Sequence, residues 1–380
     1  MRRIGTKRIR LAALACVVFV LLATGTGCGS RAAMGWSSPA LEGGVLYVGS
    51  KMGKLLAFDV ETRQQKWAFP SDRVFAGIYS SPTIRDQSLF FGSYEIATSS
   101  FLIFQNQEIE GRAYALDPES GQESWHFPLD ESVDAEPFFG TPAVGDGLVY
   151  FTSSDGKLYA LDAETGVRRW ELETGDEIWG GPGLRDGTVY VGSADKNLYA
   201  LDAASGEQKW SFSAGGAIYG TPWADEELVY FGALDNKLYA IRADNGEEAW
   251  TFTTGNWVWA GPVRQGDVLY VASLDHFLYA LEATNGQRRW QAEAGDMITA
   301  SPVITDGVVY LSAHSAGVYA LDAETGAQIW RYPTEGNLVV MSAPVVADGS
   351  VYVNADDGKV YVLDAATGAL QWEMAPGGTE

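Results

Sequence analysis

The sequence predicts an all-β protein, an eight-bladed β-propeller of four-stranded antiparallel blades, from three observations. A proline recurs at Pro39, Pro82, Pro142, Pro182, Pro222, Pro262, Pro302 and Pro344. A tryptophan follows each one, at Trp67, Trp125, Trp170, Trp210, Trp250, Trp290, Trp330 and Trp372. Between them hydrophobic residues alternate with period two in short runs, and no stretch sustains a helical period. The proline-to-tryptophan spacing is 28 residues in seven units and 43 in the second, which therefore holds a 15-residue insertion near residues 93–110.

The chain opens with Arg2, Arg3, Lys7, Arg8 and Arg10, then the uncharged apolar run of residues 11–22, then small residues up to Cys28. This is the three-part pattern of a secretory signal, and the 17 residues from 11 to 27 are short for a spanning helix. Cys28 stands where a lipoprotein signal places its lipidated cysteine, although Gly25 occupies the position where leucine is usual. Residues 1–27 are therefore expected to be a lipoprotein-type signal peptide, with an uncleaved anchor or plain secretion as the alternatives. Residues 28–35 form a short tether, 36–376 the propeller and 377–380 a tail. Loss of the five basic residues of the signal takes the net charge from −23 to −28. Such acidity argues against a nucleic-acid partner, which needs a basic footprint. Two cysteines make no disulfide scaffold, and no Cys-x-x-Cys pair suggests zinc.

Residues 146–172 show one unit. Val149, Phe151, Leu158, Ala160 and Leu161 belong to strand-like runs separated by Asp146-Gly147 and Asp155-Gly156 turns. Four strands and three turns in about 40 residues make one blade. Seven units carry Ala-x-[Asp/Glu/Arg]-x-x-[Thr/Ser/Asn]-x-x-x-x-Trp, as in Ala160, Asp162, Thr165, Gly166 and Trp170. The Asp and Thr are expected to close a turn by local hydrogen bonds, and the Gly to supply φ > 0. The Trp is expected to cover the Ala and to reach a neighbouring carbonyl.

This motif resembles the tryptophan-docking motif of the pyrroloquinoline-quinone-like (PQQ-like) propeller family, over residues 36 to about 376. The family includes quinoprotein dehydrogenases and the lipoprotein propeller of the outer-membrane barrel-assembly machinery; in size, blade count and anchoring the chain is similar to the latter. The resemblance implies that each docking tryptophan staples its blade to the next. Arg63 replaces the glycine in unit one, Arg242 the acid in unit five and Val362 the alanine in unit eight, while Asn245 and Asn285 replace threonine.

Two rings emerge when the units are superposed. Three residues before each proline lie Trp36, Tyr79, Phe139, Trp179, Tyr219, Trp259, Thr299 and Met341, with Trp257 two residues before Trp259. These aromatics either line the mouth of the central channel or pack between neighbouring blades. Thirteen residues after each proline lie Met52, Glu95, Asp155, Asp195, Asp235, Asp275, Ser315 and Asp357. These acids either close hairpin turns or add a negative rim that attracts cations. The residue before each proline is always small (Ser38, Ser81, Thr141, Gly181, Thr221, Gly261, Ser301, Ala343), as a narrow axis demands.

No catalytic residue and no metal site are expected. The resemblance implies, for a quinoprotein dehydrogenase, a vicinal disulfide and a large substrate cap, and after signal removal only Cys28 remains. His126, His276 and His314 lie in different units with no ligand array. The expected protein is a non-enzymatic, lipid-anchored, monomeric propeller without a cofactor, exported to the periplasmic or extracellular face of a cell or outer membrane. There it would bind envelope proteins or extended peptides, with outer-membrane protein assembly as one setting. The alternative is a propeller that binds a small ligand, PQQ or a cation; a quinoprotein dehydrogenase is the least favoured.

Overall fold

The computed structural model describes residues 37–50, 52–101, 104–129, 135–334 and 338–375. Cys28, Trp36, and residues 1–27 and 377–380, expected to be the signal and the tail, lie outside the described residues. Among the described residues there are 34 strands and no helix. Thirty-two strands form eight antiparallel four-stranded sheets, the blades, and two form a separate hairpin. The propeller predicted from the repeats is the fold.

Each blade is built from its own consecutive strands, as in Ala143–Gly145, Leu148–Thr152, Lys157–Asp162 and Arg168–Glu173 of blade 3. In blade 2 the insertion interrupts this order. It forms the hairpin Glu95–Phe101 paired with Phe104–Glu110, which leaves the sheet after the second strand and returns to the third. Innermost strands of two or three residues suffice because neighbouring blades meet there backbone to backbone. A Cβ on Gly181 would lie 2.3 Å from the Thr141 carbonyl oxygen, and one on Gly261 would lie 2.4 Å from that of Thr221. Elsewhere small hydroxyls bridge the gap: Ser301 Oγ donates to the Gly261 carbonyl at 2.8 Å.

The blades are joined further out by a row of three residues running across three strands. Tyr150, Ala160 and Trp170 are register partners on the second, third and outermost strands of blade 3. Because alanine is small, the Tyr150 and Trp170 rings meet above it with centroids 5.8 Å apart. Both then donate to one acceptor in blade 4. The Ala203 carbonyl receives the Tyr150 hydroxyl at 2.9 Å and Trp170 Nε1 at 3.0 Å, using both lone pairs. The same shared carbonyl recurs at Pro118 (Tyr47, Trp67), Ala283 (Tyr230, Trp250), Ala323 (Tyr270, Trp290) and Ala365 (Tyr310, Trp330). Trp125 and Trp210 donate to Ala163 and Ala243 in the same way.

The indole of each of these seven tryptophans lies against a turn glycine of the next blade. Gly121, Gly166, Gly206, Gly246, Gly286, Gly326 and Gly368 all have φ of 70–77°, and a Cβ there would fall 2.5–2.9 Å from the ring. Glycine is therefore required twice over, for its conformation and for its missing Cβ. The turns close as the sequence suggests. Asp162 Oδ1 accepts from both the backbone N and the hydroxyl of Thr165, at 2.9 and 2.8 Å. In blades 5 and 6 the asparagine substitutes: Asn245 and Asn285 accept from Glu247 N and Gln287 N. Glu282 pairs with Arg289 at 2.6 Å, as Asp162 pairs with Arg169 at 2.7 Å.

Blade 8 closes on blade 1 without exchanging a strand. Ala343 N donates to Ser38 Oγ at 2.9 Å, and Asn354 Nδ2 reaches the carbonyls of Ser37 and Gly49 at 3.4 Å. Leu46, Val48, Leu56 and Phe58 pack against Tyr352, Val360 and Val362. At this eighth junction the Arg63 guanidinium, in place of the glycine, lies 5.0 Å from the centre of the Trp372 ring.

Two glycines of blade 4 separate conformation from contact. Gly206 (φ 74°) faces Trp170, whereas a Cβ on Gly187 (φ 67°) would meet nothing within 4 Å. Gly187→Ala is expected to cost about 1 kcal/mol through backbone strain, and Gly206→Ala about 2–4 kcal/mol because the indole must also move. Urea unfolding of both variants checks this, and equal losses would remove the role of the indole contact.

Candidate functional site

Chain segments that link one blade's outermost strand to the next blade's innermost strand carry the aromatic ring. Burial alternates along them near the aromatic, as at Glu177, Ile178 and Trp179. Ile78, Phe138, Ile178, Ile218, Val258, Ile298 and Val340 are buried between blades. Phe138, for example, packs among Phe127, Phe151 and Tyr159. The residue after each is half-buried: Tyr79, Phe139, Trp179, Tyr219, Trp259, Thr299 and Met341.

Five of these side chains touch one another in sequence around the axis. Tyr79 meets Phe139 edge-on at 5.4 Å, Phe139 stacks on Trp179 at 4.6 Å, Trp179 meets Tyr219 at 6.1 Å, and Tyr219 meets Trp259 edge-on at 5.0 Å. The arc thus crosses five consecutive connections and gives way to Thr299 and Met341. Trp257 lies on the same connection as Trp259 and is likewise half-buried. Packing between neighbours, one of the two readings the sequence posed, is seen in this arc.

The acidic ring lies beside these connections. Gly175 N, on the connection entering blade 4, donates to Asp195 Oδ2 at 2.7 Å, and Gly255 N donates to Asp275 Oδ2 at 2.6 Å. These carboxylates are engaged in turn closure. Oδ1 of Asp155, Asp195, Asp275 and Asp357 accepts the backbone N two residues on. The hydroxyl of the tyrosine four residues on donates to Oδ2 of Asp155, Asp195, Asp235, Asp275 and Asp357, at 2.5–2.7 Å. Burial, with the adjacent carboxylate, raises the pKa of these tyrosines, so they donate throughout the neutral range. Glu95 is held similarly by Ser93 and Tyr114.

One carboxylate on the connection entering blade 4 has no counterpart in the repeat. Glu177 is half-buried, and its Oε2 accepts Trp179 Nε1 at 2.9 Å. Burial raises its pKa, the indole N–H opposes this, and Asp176 adds to the rise. Sequence superposition does not find it, because the equivalent positions are Gly77, Pro137, Ala217, Trp257 and Met297. Blades 1 and 2 depart differently, exposing Met52, Val74 and Leu129. Among the described residues no group of three or more His, Cys, Asp or Glu is arranged to hold a metal ion. His126 instead contacts Glu123 at 2.7 Å, and His314 lies 3.7 Å from Asp296.

The family profile described as outer membrane protein assembly factor BamB matches residues 95–179, 175–258 and 252–380. The chain belongs to the BamB family. Its fold is similar to that of BamB from Moraxella catarrhalis, with a TM-score of 0.62 at 21% identity over 79% of this chain and 86% of that one. It is also similar to the computationally designed Ika8 protein (TM-score 0.71, 16% identity, 89% and 98% covered). A europium-containing methanol dehydrogenase shares the fold too (TM-score 0.63, 16% identity, 78% of each chain). No curated protein matches the sequence. The BamB-family likeness thus accompanies a fold that a dehydrogenase also uses.

Two outcomes follow from these carboxylates. Asp275→Ala removes the acceptor of Gly255 N, Phe277 N and Tyr279 Oη, and is expected to cost about 1–3 kcal/mol of stability in urea unfolding. Unchanged stability would make that carboxylate dispensable to its turn. Glu177 has the opposite sign. Its raised pKa means the folded state binds a proton more readily, so its contribution to stability falls as pH rises through the unfolded and then the folded pKa. Glu177→Gln is therefore expected to raise Tm at pH 7, with the difference closing below about pH 4, the ordinary glutamate range. A Tm difference independent of pH would refute the assignment.

Proposed function

We propose that this chain is a non-enzymatic, lipid-anchored scaffold of the cell envelope that binds envelope proteins or extended peptides and serves outer-membrane protein assembly. Membership of the BamB family carries the proposal. The leader supports it: residues 1–27 have the pattern of a lipoprotein signal, and Cys28 is placed to take the lipid. About seven residues of tether would reach at most roughly 25 Å, holding the propeller near the bilayer. The half-buried aromatic arc offers contact area of the kind that partner proteins use, since aromatic side chains dominate interface energetics.

Affinity purification of the tagged full-length protein from its native envelope is expected to bring down a component of the barrel-assembly machinery. Cys28→Ser is expected to move the protein from the membrane to the soluble fraction. Recovery of no such component would overturn the assembly role, and membrane retention of the Cys28→Ser protein would overturn the lipid anchor.

The dehydrogenase neighbour motivates a second reading, a propeller that binds PQQ at the mouth. The donor set there does not fit it. PQQ is a tricarboxylate, whereas the ring positions supply aspartates and Glu177 in place of the arginines or lysines that would pair with it. Calorimetry with PQQ and calcium is expected to give no saturable heat. Saturable heat in the wild type that vanishes in Trp179→Ala would favour the ligand reading instead.

A further inference from the structure

We infer that the channel mouth at the connections entering blades 4 and 5 captures an arginine or lysine side chain of a partner protein, against the Trp179 and Tyr219 rings and the Glu177 carboxylate. The inference rests on the scaffold function proposed above and gives that partner a chemistry. Trp179 and Tyr219 occupy the middle of the aromatic arc and are half-buried, with centroids 6.1 Å apart and planes tilted by 50°. Aromatic faces carry negative electrostatic potential, and indole and phenol rings are favourable surfaces for a guanidinium or ammonium group.

Glu177 adds the charge. Its Oε2 is turned to Trp179 Nε1, and Glu177 N donates to Asp176 Oδ1, which brings a second carboxylate alongside. Both acids act electrostatically on the Tyr219 hydroxyl, whose pKa is pushed up to about 12, mainly by burial and then by Glu177 and Asp176. Among the described residues no ion pair joins Glu177 or Asp176 to a lysine, an arginine or a histidine. A half-buried carboxylate without a cation is an unfavourable arrangement that an incoming basic side chain relieves. Asp195 and Asp275 are different, because their oxygens already accept tyrosine hydroxyls and backbone amides. A metal ion is the poorer occupant, as no group of three or more His, Cys, Asp or Glu among the described residues is arranged to ligate one.

The test uses the full-length protein and two probes, acetyl-Gly-Arg-Gly-amide and its citrulline counterpart, which has nearly the same shape without the charge. Titration followed by tryptophan fluorescence is expected to saturate with the arginine peptide and to be at least about tenfold weaker with citrulline. Glu177→Gln keeps an acceptor for Trp179 Nε1 and is expected to weaken the arginine peptide about tenfold while leaving the citrulline peptide unchanged. Glu324→Gln removes one charge at an exposed outer turn of blade 7 and is expected to change neither by more than about twofold. Equal binding of the two peptides, absence of saturation, or equal effects of the two Glu→Gln changes would overturn the inference. Loss of barrel-assembly partners in the envelope purification with arginine binding intact would sink the scaffold function and leave the pocket standing; the converse result would do the reverse.

Discussion

A single four-stranded blade has two apolar faces and covers neither, so a propeller is stable only as a ring in which every face is buried by a neighbour. Here the burden falls on a backbone carbonyl one residue past the position that holds the turn acid in most units. At Ala203 that oxygen takes a phenol and an indole from the preceding blade, while the indole ring lies on Gly206 three residues further along. One short turn thereby supplies two hydrogen-bond sites and a flat apolar seat. The alanine between tyrosine and tryptophan in the register row is what allows the two rings to converge on one acceptor.

The eighth junction shows how far this contact can be altered. A side chain at the position of Arg63 rules out the indole seat used elsewhere, and its φ of 59° keeps the turn geometry despite the missing glycine. A cation over the Trp372 ring replaces the flat packing, and a mixed cluster of Leu, Val, Phe and Tyr side chains covers the rest of the seam. Such a contact contributes about 0.5–1 kcal/mol at an exposed site, less than a buried indole. Near the axis, the hydrogen bonds of Asn354 and Ser38 add to the closure.

Much of this was legible because repetition turns physics into spacing. A residue required once per blade stands out at a fixed interval, which exposed the prolines, the tryptophans, the turn acids and the small residues at the axis. The tyrosine that shares the carbonyl was missed although it recurs, because it sits within an apolar run such as Leu-Val-Tyr-Phe, where its ring reads as one more core side chain. Superposition also cannot tell a carboxylate that is available from one that is engaged. Asp195 and Asp275 have the same composition and spacing in either case; only the amides of Gly175 and Gly255 and the two tyrosine hydroxyls decide it.

That distinction changes how the large negative charge relates to binding. Asp162, Asp202, Asp322 and Asp364 close the outer turns, and local hydrogen bonds hold their pKa values below the usual carboxylate range. Asp155, Asp195, Asp275 and Asp357 close the inner turns. Charge of this kind accompanies architecture: it is repeated because blades are repeated, and it surrounds the molecule with a diffuse field that salt screens. A recognition site needs asymmetry, and in an eight-fold repeat asymmetry comes from departures. The aromatic arc covers five connections and yields to Thr299 and Met341, and only the connection into blade 4 places a glutamate beside a tryptophan of that arc. Whatever the ring as a whole attracts, the position that can orient a ligand is the one where the repeat is broken.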